Sequence, residues 1–158
     1  MASTAFNIPE EAHVVNILPP VDINGGAVDS DYFSLKDYAR AQILITLGVT
    51  GAATTITVEE NTDNSGTGAT AIPFAYYAEE TDAGDTLGDR TAATTSGFAA
   101  STNDNIMYLI DITAEELSDG SPWLNIHLTD PSAATLVSAV AVLTGARYSG
   151  PDGGPSAI

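Results

Sequence analysis

The sequence predicts an all-β protein: a single β-sandwich, jelly-roll-like or immunoglobulin-like, of about eight strands with extended N- and C-terminal arms. Apolar and polar residues alternate with a period of two in several stretches, the pattern of a half-buried strand. Gly, Pro and Asn-Asp punctuation separates these stretches at roughly 8–12-residue spacing. The stretches are rich in Val, Ile and Thr, whose branched side chains suit a pleated surface.

In chain order, residues 1–12 read as a loose arm containing Pro9 and Glu10-Glu11. His13-Val14-Val15-Asn16-Ile17-Leu18 reads as a strand ended by Pro19-Pro20, and Asn24-Gly25-Gly26 as a turn. Residues 27–35 read as extended, anchored by Tyr32, Phe33 and Leu35. The organising stretch follows. Ile43-Leu44-Ile45-Thr46-Leu47-Gly48-Val49 is an apolar run, broken by Thr50-Gly51-Ala52-Ala53, and Thr54-Thr55-Ile56-Thr57-Val58-Glu59 alternates. A turn-rich loop over residues 61–68 leads to a third run, Ile72-Pro73-Phe74-Ala75-Tyr76-Tyr77. Three strands in succession suggest a meander with Ile43, Ile45, Leu47, Ile56 and Val58 inside.

Residues 79–89 are acidic and loop-like, and weak strands are expected over 89–93 and 96–100. Residues 105–112 are a strand, and Thr113 with Glu116 has the capping-box spacing of a single helical turn closed by Asp119-Gly120. Pro122-Trp123-Leu124-Asn125-Ile126-His127-Leu128 alternates, with Trp123, Asn125 and His127 on one face. After the turn Thr129-Asp130-Pro131-Ser132, residues 135–143 alternate again and place Leu136, Ser138, Val140 and Val142 together. The sandwich domain thus spans 13–148. Residues 149–158, rich in Gly and Pro, read as an arm that extended would reach ~33 Å. Phe6, Arg147, Tyr148, Pro151, Pro155 and Ile158 are the candidate partner-binding residues of the two arms, with Ile158 as an apolar anchor on a neighbouring subunit.

Composition narrows the function classes. At 158 residues with 44% hydrophobic content the chain is one folded domain. Its 21 acidic residues against four basic ones give a net charge of −17. Nucleic acid and anionic membrane need clustered Lys and Arg, so neither is an expected partner. No apolar run approaches the ~20 residues of a spanning helix, and the first residues lack the basic and apolar regions of a signal peptide. With no cysteine there is no disulfide, thiolate zinc site or cysteine nucleophile.

The search for chemistry yields no catalytic motif. His13 and His127 stand outside any nucleophile or metal pattern. Glu59 and Glu60 are adjacent in a strand and point to opposite faces, so they cannot flank one substrate. Asn61, Asp63, Ser65 and Gly66 occupy EF-hand positions, but Ile72 stands where the bidentate Glu belongs. Asp82, Asp85 and Asp89 are a weaker calcium possibility in a bent loop. No enzyme activity, cofactor or metal is expected.

Leu18-Pro19-Pro20-Val21-Asp22-Ile23-Asn24-Gly25-Gly26, then Tyr32-Phe33-Ser34-Leu35-Lys36-Asp37-Tyr38, and later Asp130-Pro131-Ser132-Ala133-Ala134 with the Pro-Ser-Ala-Ile ending, form a pattern over most of the chain. It resembles small structural proteins of tailed bacteriophages, some of which decorate or cement the head. The resemblance implies a non-enzymatic virion protein, made in the host cytoplasm, docked on the major capsid protein as a homo-oligomer, with a homotrimer favoured. It carries over no functional residues. The alternatives are a neck or tail component, or a carbohydrate-binding sandwich for host attachment. The last requires Trp123, Tyr76 and Tyr77 to share an open face.

Overall fold

The computed structural model describes residues 6–80, 84–147 and 156–158. They form a two-layer antiparallel β-sandwich, as the sequence predicts. The strands are β1 (Ala12–Asp22), β2 (Val28–Asp29), β3 (Phe33–Ser34), β4 (Arg40–Thr50), β5 (Thr55–Asn61), β6 (Thr70–Ile72), β7 (Phe74–Glu79), β8 (Thr91–Ala93), β9 (Phe98–Ala99), β10 (Ile106–Thr113), β11 (Trp123–Leu128) and β12 (Thr135–Thr144). A single helical turn, α1 (Ile8–Glu11), precedes β1, and a 3₁₀ turn (Ala114–Glu116) follows β10. The long sheet, here sheet A, has the order β1-β12-β4-β10-β7-β8. Sheet B has the order β2-β11-β5-β6, with β3 also on β11 and β9 also on β5.

The pairing is that of a rolled-up hairpin. The first strand pairs with the last (β1 with β12), β2 and β3 with β11, β4 with β10, and β5 with β6 and β9. Rolling the hairpin brings β12 onto β4 and β11 onto β5. This decides between the two sandwich types in favour of the jelly roll. The β7–β8 hairpin extends sheet A beyond the eight positions of that fold, and the short β3 and β9 share partners, so the described residues hold twelve strands where about eight are expected.

Two expectations are corrected. The stretch from β4 to β7 is not a meander: β4 lies in sheet A, β5 and β6 in sheet B, and β7 in sheet A again. The crossing after β6 occurs at Pro73, which has no N–H to continue a ladder. The crossing after β4 is made at Gly51, where an added Cβ would stand 2.7 Å from the Ala134 carbonyl. Second, β1 does not end at Pro19-Pro20 but continues to Asp22, with register shifts between Asn16 and Leu18 and between Leu18 and Val21. Both prolines are tolerated because β1 is an edge strand.

Alternation fills the interior as expected. Ile43, Ile45 and Leu47 of β4, with Ile106, Tyr108 and Ile110 of β10, face Ile56, Val58, Leu124, Ile126 and Leu128 of sheet B, all fully buried. The inner face of β12 is lighter, with Ala139 and Ala141. The aromatic residues compensate toward the β7 side. The Tyr76 ring stacks on Phe98 at 3.9 Å and 6°, and Phe98 lies 5.0 Å from Tyr108. Tyr108 is buried, its hydroxyl donating to Glu80 Oε1 (2.9 Å) and accepting from Ser101 N–H (2.7 Å). Burial is the largest cause raising its pKa above the ordinary phenol value.

Candidate docking surface

Side chains alternate across a strand, so the outward residues of sheet A fall into rows fixed by the pairing registers. The middle row runs Asn16, Val140, Leu44, Leu109, Tyr77 across β1, β12, β4, β10 and β7. On one side of it runs Val14, Val142, Gln42, Asp111, Ala75, and on the other Ser138, Thr46, Met107, Glu79. Val14 is 51% exposed and Leu136, further along β12, is 45% exposed. Leu44, Leu109, Met107, Tyr77, Val140 and Val142 are each partly exposed. Leu136 extends over Gly48, where an added Cβ would meet its own Cβ at 3.3 Å.

The charges on these rows are few and engaged. Arg40 Nε lies 3.5 Å from Asp111 Oδ1 across β4 and β10, an ion pair without a hydrogen bond. Glu79, on β7, accepts from Thr86 N–H at 3.2 Å. The middle row is therefore apolar from Val140 through Leu44 and Leu109 to Tyr77, on a chain of net charge −17, and the flanking rows mix apolar with polar residues. An antiparallel sheet with one face in the core and the other in water normally alternates to polar outside. Here Leu44 on β4, Met107 and Leu109 on β10, and Leu136, Val140 and Val142 on β12 add outward apolar residues among Gln42, Thr46, Asp111 and Ser138.

Sheet B is built the opposite way. Trp123, Asn125 and His127 point outward from β11, as the alternation predicts, beside Thr57, Glu59 and Asn61 of β5. Asn61 Nδ2 donates to Asn125 Oδ1 (2.8 Å), and Asn125 Nδ2 to Glu59 Oε2 (3.3 Å). Asn61 Oδ1 is buried without a partner among the described residues. His127 Nδ1 and Asp29 Oδ1 are 2.6 Å apart, joining β11 to the edge strand β2. Burial, then the carboxylates of Asp29, Glu59 and Asp63, raise the pKa of Tyr32, which lies against Gly66. This face is polar, acidic and hydrogen-bonded within itself. Glu60, by contrast, points inward and its carboxylate accepts from Ser118 N–H (2.8 Å), so the adjacent acids Glu59 and Glu60 do sit on opposite faces.

The candidate calcium positions resolve separately. Asp63 Oδ1 accepts from Ser65 N–H (2.9 Å), Ser65 Oγ–H (2.7 Å) and Thr67 N–H (3.1 Å), so the carboxylate closes its own hairpin loop. Those bonds, from Thr67 and Ser65, hold its pKa well below the usual carboxylate range. Asp82 lies outside the described residues, and among the described residues no three His, Asp or Glu side chains gather as a metal site. His13 packs against the Tyr38 ring at 5.9 Å.

The arm candidates are placed apart from one another. Phe6 is 58% exposed, just before α1. Arg147 is exposed; its N–H donates to the Asp37 carbonyl, and its side chain lines clefts shared with Arg40 on one side and with Lys36 and Trp123 on the other. Three of the four cations thus gather at this end of the sandwich. Ile158 is 72% exposed and borders a smaller cleft with Tyr32 and Trp123. The anchor of the chain end on its own domain is Ala157, which is buried and accepts from Ser34 N–H at 2.8 Å. Tyr148, Pro151 and Pro155 lie outside the described residues.

The aromatic platform needed for a sugar does not form. Trp123 faces outward from sheet B, Tyr77 outward from sheet A, and Tyr76 packs inward on Phe98. The outward residues Leu44, Leu109, Met107 and Val140 were not foreseen as a surface. Their signal was the uninterrupted apolar runs of β4, β10 and β12, which mark strands covered on both sides. No helix of the described residues is long and apolar enough to cross a membrane. No known family model matches the chain, and no curated protein matches it.

Proposed function

We propose that the chain is a non-enzymatic structural protein of a tailed-bacteriophage virion, a decoration or cement protein that binds the major capsid protein and stabilises the head. The observation that carries this reading is the outward face of sheet A, where Val140, Leu44, Leu109 and Tyr77 form an apolar row on an otherwise acidic protein. A row of adjoining, partly exposed apolar side chains on one sheet face supports a contact surface there. The jelly roll supports the reading by analogy alone, since the fold recurs in viral capsid and lectin domains with many functions. The resemblance over residues 18–38 and 130–134 points the same way.

In this reading the sandwich is a rigid plate made in the host cytoplasm and added to the head surface. Each copy contributes a modest contact, and many copies on one lattice sum through multivalency against the outward pressure of packaged DNA. The net charge of −17 keeps unassembled copies soluble and selects basic patches on the lattice. The test is co-sedimentation of the purified chain with heads that lack it, followed by heating. Heads that bind the chain and retain DNA to a higher temperature support the proposal. A chain left in the supernatant at every ratio overturns it. A neck or tail component would use the same surface chemistry and is separated from the head reading by where density appears on the particle.

A further inference from the structure

We propose that the cleft between Tyr32 and Trp123, on the sheet B side, receives an arginine side chain of a protein partner. This goes beyond the head reading, which uses sheet A, and gives the opposite face a partner of its own.

The walls are two aromatic side chains held in place by the fold. Trp123 pairs with Ser34 on one side and Asn61 on the other, so its backbone is fixed within sheet B. Tyr32 projects from the link between β2 and β3 and reaches Gly66, where an added Cβ would stand 2.5 Å from its hydroxyl. Both side chains are partly exposed. Asp31, Asn64 and Ile158 complete the cleft, and Ile158 follows the buried Ala157 that seats the chain end on Ser34. Aromatic walls fixed in this way lose little conformational entropy when a partner binds.

Charge and unused polar groups set the chemistry. Among the described residues the Asp31 carboxylate, the Tyr32 hydroxyl and the Asn64 side chain have no hydrogen-bond or ion-pair partner. No cation lines the cleft. After burial, the largest cause, the carboxylates of Asp29, Glu59 and Asp63 raise the Tyr32 pKa, so the field at this wall is negative. Lys36 and Arg147 line a different cleft that shares Trp123, so the sign of the charge changes from one cleft to the other.

Arginine matches each of these groups. Its planar guanidinium stacks on aromatic faces, its fork of N–H groups suits a carboxylate, and it is always charged. Lysine offers a compact, strongly hydrated charge with no plane to stack. Size agrees, because the cleft holds about 250 Å³. Sites for whole small molecules hold about 300–1,000 Å³, so this one has room for a side chain. Trp, Tyr and Arg are also the residues that dominate binding energy at protein interfaces.

Trp123 is the only tryptophan of the chain, so its fluorescence reads the cleft directly. The purified full chain is titrated with end-blocked Gly-Arg-Gly, Gly-Lys-Gly and Gly-Glu-Gly peptides. The arginine peptide is expected to change the emission with a dissociation constant of ~1 mM. The lysine peptide is expected to bind at least ~5-fold more weakly, and the glutamate peptide not at all. Asp31→Asn is expected to weaken the arginine peptide ~10-fold. Tyr32→Leu, which keeps bulk and removes the ring, is expected to weaken it ~5-fold. Lys36→Gln, in the neighbouring cleft, is expected not to weaken it, and circular dichroism checks that each variant keeps its β structure. No saturable change up to ~50 mM, a glutamate peptide bound as tightly, or arginine binding untouched by both Asp31→Asn and Tyr32→Leu each overturns the proposal. Head binding is read separately by co-sedimentation, so a chain that binds the arginine peptide and not the head counts against the virion reading and leaves the cleft standing.

Discussion

Leu109 and Ile110 are neighbours in β10 and separate the two roles of sheet A. Ile110 is fully buried opposite Ile43 and Tyr76, and Leu109 points outward between Leu44 and Tyr77. Replacing Ile110 by Ala removes three methyl or methylene groups from the sandwich interior and leaves a cavity between two sheets that cannot close on it. Such changes cost about 2–5 kcal/mol, and the tight registers on both sides of β10 place this one at about 3 kcal/mol. With a urea slope of about 2 kcal/mol/M the midpoint falls by ~1.5 M. The melting temperature falls by roughly 6–12 °C. Leu109→Ala removes partly exposed area and costs less than about 1 kcal/mol. Urea titrations followed by circular dichroism measure both. Equal losses at the two positions would refute the assignment of Leu109 to an open face, and with it the docking surface.

Other outcomes follow from local geometry. Tyr108→Phe leaves Ser101 N–H without its acceptor while Glu80 turns to water, a loss of about 1–2 kcal/mol measurable as a urea midpoint shift; no shift would mean the phenol bridge contributes nothing. Gly97 has φ +70°, and an added Cβ would overlap the Ile56 carbonyl, so Gly97→Ala detaches β9 from β5 and costs about 2–4 kcal/mol. A variant as stable as the wild type contradicts that close approach. The Asp63 loop is expected to resist acid. Its carboxyl is lowered in the folded state, so the stabilisation is complete above the ordinary value of 3.8 and is lost only as pH falls further, through the lowered folded value. Ser65 and Thr67 amide resonances should hold their native positions until well below pH ~4. Movement centred near pH ~4 would show that Asp63 does not hold the turn.

The sandwich was legible because each strand carries its own period. Ile43, Ile45, Leu47, Ile56 and Val58 were assigned to the interior from alternation, and all five are fully buried. The capping box was likewise local: Thr113 N–H and Oγ donate to Glu116 Oε2 at 2.7 and 3.1 Å, as the spacing requires. The pairing of strands was not legible. Whether β5 lies beside β4 or across from it depends on long-range partners, β12 and β10 for one and β11 for the other, which no local period encodes. Pro73, inside an apolar run, and Gly51, after β4, are the local signs of the two changes of sheet. The docking surface was hidden for a related reason. The run Ile43-Leu44-Ile45 was read for its inward residues, although Leu44 between them already signalled a second covered face. The arms were legible only as composition. Gly and Pro content does not say that Ala157, rather than Ile158, is the residue that seats the chain end beside β3.

The central claim is that this sandwich is an assembly protein acting at a particle surface. It is tested most directly by cryo-electron microscopy of particles produced in cells that express the chain. The account predicts density for a two-layer jelly roll bound on the outside of the head and resting on the major capsid protein. Fully formed heads without such density, from cells in which the chain accumulates as free protein, would contradict it.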